Sequence, residues 1–159
     1  MTITTIKFSE RKRNKMSCQK KLQYLIHDNF IAYHHAHIDH FNVTGPHFND
    51  YHSLLQEVYE SLYSWFDKLS EQLRTMGEFV DGTIDLDKQC LIEPHDNGRT
   101  TSIILNRSSY NLEVLIKCGN ALYKEAGKEG HGALETIVGD YLVDLNKLKW
   151  KVDSCLTNP

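Results

Sequence analysis

The sequence predicts an all-α fold, a bundle of four long helices with one long crossover that carries a short helix. Apolar residues recur at intervals of three and four along four separate stretches, which is the period of an amphipathic helix. Glycines and prolines divide these stretches, and the central break is too long for a plain hairpin between antiparallel helices. Periodicity alone leaves several all-α topologies open.

The first two predicted helices are separated by a short break. Residues 17–42 form the first periodic stretch, and a Thr-Gly-Pro sequence ends it. Pro46 suits the first turn of a second helix, where its missing N–H would have no partner. The second helix is predicted over residues 46–76 and ends at Gly77. Its apolar positions are the most regular in the chain.

The second half of the chain repeats this plan after the crossover. Residues 77–100 are predicted to form the crossover, with a short helix near Asp85–Leu91. A third helix is predicted from Thr101 to Ala126 and a fourth from Ala133 to Cys155, with a short turn between them. A four-helix bundle with one long crossover is a ferritin-like topology.

Composition excludes several classes of protein. The 159 residues are 40% hydrophobic and 25% charged, which is ordinary for one globular domain. No apolar stretch is long enough to cross a bilayer, and the first residues lack the apolar middle of a secretory signal. We therefore expect a cytosolic protein without membrane contact. The cysteines are scattered without a CxxC pair, so their spacing indicates neither a zinc site nor a redox motif.

Charge is unevenly distributed along the chain. Residues 1–21 carry seven basic groups and one acidic group, a net charge of +6, whereas the remaining chain carries −9. We therefore predict a flexible basic arm over residues 1–16 and a bundle domain over residues 17–159. A basic arm on an acidic body suggests an anionic polymer as partner, although a solvated arm that only aids solubility explains the same pattern.

The second helix carries a polar stripe that core packing does not explain. At about 100° per residue its members share an arc of roughly 100°, and a histidine with two carboxylates suits iron, zinc or manganese. His52 and Asp67 are 15 residues apart, about 22 Å along a helix, so one chain cannot bring them to one ion. Two copies crossing antiparallel about a two-fold axis would do so. A solvated charged face is the alternative. The stripe consists of His52, Gln56, Tyr63, Asp67 and Glu71.

A missing motif narrows the location of any metal site. Ferritin-type di-iron bundles place Glu-x-x-His pairs inside one bundle. No glutamate in this sequence is followed by histidine three residues later. A metal site inside a single bundle is therefore not expected.

A long and specific motif begins at the end of the first predicted helix and continues along the second. It comprises His40-Phe41-Asn42-Val43-Thr44-Gly45-Pro46-His47-Phe48, Tyr51-His52, Asp67-x-x-x-Glu71 and Gly77. This motif resembles the core motif of the Dps family of mini-ferritins, and the resemblance extends from about Leu22 to Val152. A pattern near the end of the last helix, Lys147-x-x-Trp150, is also similar to the family.

The resemblance implies a hollow dodecamer that oxidises ferrous iron, preferably with hydrogen peroxide, stores the ferric mineral and protects DNA from oxidative damage. By motif position, His40 and His52 would be ligands from one subunit, and Asp67 and Glu71 would come from its neighbour. Trp65 would lie near this site and trap an oxidising equivalent. His37, nearly one turn before His40, is a further candidate ligand.

The sequence departs from the family pattern at Gln56, where the family usually has aspartate. A neutral amide balances metal charge less well than a carboxylate, so at least one iron position should be weaker. We expect iron binding to persist, because the other ligand positions match.

Some Dps proteins bind DNA without sequence preference through lysine-rich N-terminal tails. The candidate DNA-binding residues here are Lys7, Arg11, Lys12, Arg13 and Lys15. A DNA-coating shell with weakened ferroxidase activity is therefore the alternative to an iron-storing ferroxidase. Such a shell would associate with the nucleoid. A shell without a useful iron site is a third hypothesis.

Overall fold

The structure is a computed structural model, and it describes residues 16–82 and 91–156. These residues form four long α-helices and no β-strand, which confirms the predicted fold class. The helices are α1 (Cys18–Asn42), α2 (Phe48–Thr75), α3 (Thr101–Glu129) and α4 (Gly132–Leu156). None of them combines the length and hydropathy of a membrane span.

Two helix boundaries differ from the sequence prediction. α2 begins at Phe48, so Pro46 lies in the turn before the helix, where Gly45 adopts a φ of 107°. α3 continues to Glu129, one turn beyond the predicted end. α3 ends at a left-handed residue, Gly130, which has a φ of 74°.

The described parts of the crossover, residues 77–82 and 91–100, lie against α1. The first residues of the crossover reach the N-terminal half of α1, where the backbone N–H of Asp81 donates to Gln23 Oε1 at 2.8 Å. At its other end Thr101 donates to the carbonyl of Thr44, beside the α1–α2 turn, at 2.9 Å. The short helix predicted near Asp85–Leu91 falls largely on residues 83–90, which lie outside the described residues.

This path explains why α1 buries polar residues as well as apolar ones. The N–H of Leu91 donates to Asp28 Oδ1 at 2.7 Å, and buried Asp39 bonds to His95 and Arg107. Asn29 donates to the carbonyl of Leu62 on α2 at 2.8 Å. Since buried polar groups are stable only when hydrogen-bonded, these contacts fix the rotation of α1 about its axis. The face that carries His40 is thereby directed toward α2.

Candidate metal centre

His40 and His52 face each other where α1 and α2 approach their connecting turn. His40 Nδ1 lies 2.9 Å from the carbonyl oxygen of His52, and His52 Nδ1 lies 2.9 Å from the carbonyl oxygen of His40. The exchange is reciprocal, so each ring is held by the backbone of the opposite helix. Twelve residues separate the two histidines, and the turn brings them together.

The hydrogen bonds define the tautomer of both rings. A carbonyl oxygen can only accept, so each Nδ1 must donate its proton. In the neutral imidazole the other nitrogen, Nε2, then carries the free lone pair. A histidine whose Nδ1–H is fixed by a carbonyl is the usual form of a metal-ligating histidine, because that bond sets the ring orientation. The pair is therefore organised as two Nε2 donors.

Ring contacts hold the pair in place from both sides. The centroids of His40 and His52 are 3.6 Å apart with an interplanar angle of 23°. Phe48 stacks on His52 at 4.9 Å, and Tyr59 meets the edge of His40 at 5.2 Å. These contacts leave the rings little freedom to rotate, which reduces the cost of ordering them around an ion.

The two predicted carboxylate ligands lie at the other end of α2. Asp67 and Glu71 are both exposed on the helix surface, one turn apart. They are on the same side of α2 as His52, but Asp67 is about 22 Å and Glu71 about 28 Å away along the axis. The structure therefore does not bring the histidines and these carboxylates together within one chain.

Gln56 is exposed on the same face, one turn after His52, and its side chain is already engaged. Its Nε2 donates to Glu60 Oε1 at 2.7 Å. This bond uses the amide nitrogen, so the amide oxygen is the atom left to face a cation. Glu60 adds a carboxylate to the stripe that sequence reasoning missed. Its spacing of eight residues from His52 was the available signal.

Trp65 lies inside the bundle, on α2. Its side chain is only 4% exposed, its Nε1 donates to Asp144 Oδ2 at 2.9 Å, and its ring packs against Tyr141. Trp65 precedes Asp67 by two residues, which is about 200° around a helix. The indole and the carboxylate therefore leave α2 on nearly opposite sides.

His37 lies among aromatic rings beside the histidine pair. It stacks on Tyr59 at 4.1 Å between centroids and on Phe41 at 4.9 Å, and its Nδ1 lies 3.3 Å from Tyr33 Oη. Its ring centroid is 6.4 Å from that of His40. A ligand role for His37 stays a prediction. Sequence reasoning missed Tyr59, although its spacing of seven from His52 places it on the same face.

Large aromatic side chains around the pair are exposed. Phe41 is 64% exposed, Phe48 40% and Tyr63 63%. They lie along the surface that also carries the polar stripe of α2. A cluster of exposed aromatic residues rimmed by polar groups is typical of a protein–protein contact. The five candidate DNA-binding residues, Lys7 to Lys15, lie outside the described residues.

Comparisons with known proteins agree with this architecture. A Dps protein from Vibrio cholerae superposes with a TM-score of 0.83 at 19% identity, over 92% of each chain. Dps from Staphylococcus aureus gives a TM-score of 0.83 at 22% identity, over 89% of this chain and 96% of that one. The protein CAIP from Helicobacter cinaedi gives a TM-score of 0.80 at 25% identity, over 89% of this chain and 100% of that one.

Sequence comparison gives the family directly. A search of curated proteins gives no match. A family model described as a ferritin-like domain, however, matches residues 19–159. Since that match covers most of the sequence, the chain belongs to the ferritin family, and its fold is that of the Dps proteins.

Proposed function

We propose that this protein is a Dps-type mini-ferritin that binds ferrous iron, oxidises it at sites between two subunits and stores ferric mineral in a hollow shell. The observation that carries the proposal is the histidine pair. His40 and His52 are held by reciprocal bonds to carbonyl oxygens, and each keeps Nε2 as a donor for a metal. A metal-binding role explains two stacked histidines with fixed tautomers better than core packing alone does.

The remaining ligands come from a second chain in this proposal. Two α2 helices crossing antiparallel about a two-fold axis bring the His52 end of one chain to Asp67 and Glu71 of the other, and the site then occurs twice. The exposed aromatic residues Phe41 and Tyr63 support such a contact, because Tyr63 belongs to the stripe, Phe41 lies beside His40, and both side chains are more than 60% exposed. Further association of dimers into a dodecamer completes the shell.

The chemistry requires a site that favours ferric over ferrous iron. Two ferrous ions each give up one electron, and one hydrogen peroxide molecule takes both electrons and two protons to become two water molecules. Carboxylates favour this direction, since their negative charge stabilises the more highly charged ion. Gln56 contributes no charge, so Asp67, Glu71 and the nearby Glu60 supply it in this proposal.

Trp65 and Tyr59 are the proposed traps for stray oxidising equivalents. Tyr59 contacts His40 directly. Trp65 lies on the side of α2 that faces the inside of the bundle, and its indole is bonded to Asp144. An oxidising equivalent that escapes the iron would reach Tyr59 first. Trp65 would act as the deeper acceptor inside the bundle.

Stopped-flow oxidation tests the proposal. Purified protein of known oligomeric size is loaded anaerobically with ferrous iron and mixed with peroxide, and ferric absorbance is followed. A variant carrying both Asp67→Asn and Glu71→Gln is expected to oxidise iron at least about tenfold more slowly. Glu113→Gln, an equally charged surface residue on α3, is the control and should match the wild type. Wild-type rates in the double variant would exclude this site.

A second function, DNA coating, is favoured by the net charge of +6 on residues 1–21. Several such arms on one shell would bind an anionic polymer multivalently even if each arm binds weakly. A gel-shift titration of the full chain and of a chain lacking residues 1–15, at two salt concentrations, tests this proposal. Equal retardation by both proteins would exclude the arm.

A further inference from the structure

Cys18, Glu129 and His131 converge at the end of the bundle opposite the histidine pair. Each offers one ligand atom, and these three atoms all lie within 4.8 Å of one another. Over residues 16–82 and 91–156, no other group of three such side chains comes this close. Cys18 and His40 stand 22 residues apart on α1, about 33 Å along the helix, so this cluster is separate from the candidate iron site.

The fold fixes all three side chains on rigid backbone. Cys18 is the first residue of α1 and is fully buried, at 0% exposure. α3 ends in a Schellman motif, in which the N–H of His131 donates to the carbonyl of Ala126 at 2.9 Å and Gly130 is left-handed. The carbonyl of His131 then accepts the first hydrogen bond of α4, from Glu135, at 2.9 Å. His131 is thus held between two helices.

The three groups already lie close to one another. His131 Nε2 lies 3.3 Å from Glu129 Oε2. Burial, together with the neighbouring Glu129 carboxylate, raises the pKa of the Cys18 thiol to about 12. The Glu129 carboxylate therefore lies close to both the sulfur and the imidazole, and all three groups can contact one cation.

The surrounding charges leave the cluster negative. Lys21 is a buried cation whose charge acts on the Cys18 thiol, and its Nζ is paired with Glu125 Oε2 at 3.2 Å. Since Glu125 balances Lys21, the charge of Glu129 remains available for a metal ion. The sulfur would add a second negative charge when a metal displaces its proton.

We propose that Cys18, Glu129 and His131 form a binding site for Zn²⁺ that joins the start of α1 to the α3–α4 turn. One thiolate, one imidazole and one carboxylate are ligands that zinc accepts in tetrahedral sites. Tetrahedral ligation at about 2.0–2.3 Å places ligand atoms about 3.5 Å from each other. Glu129 and His131 already have this spacing at 3.3 Å, and since all three ligand atoms lie within 4.8 Å, the remaining separations need to close by roughly 1 Å at most. Glu129 and His131 are both partly exposed and can make that movement.

A surface pocket borders this site at His131. A cavity of about 330 Å³ lies at this end of the bundle, and His131 is part of its wall. It is formed by the end of α2 and the starts of α1 and α4. Three protein ligands leave the fourth position of zinc open to water from this cavity. A zinc ion at this site would therefore cross-link the start of α1 to the α3–α4 turn and keep one coordination position open to water.

Cobalt(II) titration of the full-length protein tests this inference, because a thiolate ligand produces a charge-transfer band in the near ultraviolet that iron-site histidines cannot produce. The wild type is expected to develop this band, to saturate at one such cobalt per chain, and to lose it when zinc is added. Cys18→Ser should abolish the band. Cys155→Ser, which removes an exposed thiol on α4, should leave it unchanged.

Surface variants keep the test decisive if Cys18→Ser does not fold. Combined Glu129→Gln and His131→Gln should weaken cobalt binding at the thiolate site at least about tenfold, whereas His34→Gln on α1 should not. A wild type without the band at stoichiometric cobalt would overturn the inference. So would a band that persists in Cys18→Ser, or an unchanged affinity in the double variant. Iron oxidation is measured separately, so failure here is distinguishable from failure of the proposed function.

Discussion

The two ends of α2 carry different halves of the candidate iron site, and they are organised differently. At the first end His52 is half-buried, stacked and bonded to the backbone of α1. At the second end Asp67 and Glu71 are exposed carboxylates on the helix surface. An imidazole has a single directed lone pair, so its ring must be oriented in advance, whereas a carboxylate accepts a metal from several directions. In the proposed site the chain thus preorganises the histidines, and a partner subunit supplies the carboxylates.

The largest expected effect comes from the preorganised end. Replacing both His40 and His52 by alanine should weaken ferrous binding at least about 100-fold, because two nitrogen donors are lost. It should also destabilise the fold by about 2 kcal/mol, since both carbonyls lose their partners. Anaerobic titration calorimetry and urea unfolding measure the two effects. His47→Ala, at an exposed histidine outside the pair, is the control, and unchanged iron affinity in the double variant would refute the ligand role.

The next effect concerns the proposed contact between two subunits, which brings the first end of one α2 helix to the second end of the other. Phe41→Lys combined with Tyr63→Lys should raise the dissociation constant of the dimer by about 100-fold, because two exposed aromatic contacts become charged. Iron oxidation should fall in parallel as dimers dissociate. Trp150→Lys alters an equally exposed aromatic residue on α4 and should leave the two-fold dimer intact. Sedimentation velocity across a dilution series measures this, and an undisturbed dimer in the double variant would place the contact elsewhere.

A moderate effect is expected at the junction between the two halves. Gln56→Asp should tighten ferrous binding by about tenfold, because a carboxylate replaces a neutral amide beside the histidine pair. Asn120→Asp makes the same chemical change on the exposed face of α3 and should have no effect. Anaerobic titration compares the two variants. A Gln56→Asp protein that binds iron no better than wild type would argue that this position is not a ligand.

The smallest effect is expected for Trp65, on the side of α2 that faces the inside of the bundle. Trp65→Phe removes the hydrogen bond to Asp144 and should lower the free energy of unfolding by about 1 kcal/mol. The rate of iron oxidation should stay unchanged, whereas spin trapping should detect more escaped radical if Trp65 is a trap. Trp150→Phe is the matched control. A slowed oxidation step would instead indicate that Trp65 affects the iron ligands.

The sequence predicts the bundle well because apolar periodicity and helix breaks are local signals. α1 and the start of α3 follow directly from such signals, and α3 extends three residues beyond its predicted end at Ala126 because the left-handed residue that ends it is Gly130. The stripe on α2 is also visible from spacing alone. Helix spacing also places Tyr59 beside the histidines, but sequence reasoning missed it and named Trp65, which lies inside the bundle.

Contacts between helices are the part that the sequence does not reveal. The reciprocal bonds of His40 and His52 depend on how closely α1 and α2 cross at that level. The cluster of Cys18 and His131 joins residues 113 positions apart, so no spacing rule for cysteines could indicate it. Such sites appear only once the helices are packed.

One measurement tests directly whether the two halves of the iron site come from different chains. A chain with both histidines replaced, His40→Ala and His52→Ala, is assembled together with a chain carrying Asp67→Asn and Glu71→Gln. In a mixed two-fold dimer one site regains all its ligands, so random mixing should restore about one quarter of wild-type iron oxidation. Each variant assembled alone should be inactive. A mixture as inactive as its components would contradict a site shared between subunits.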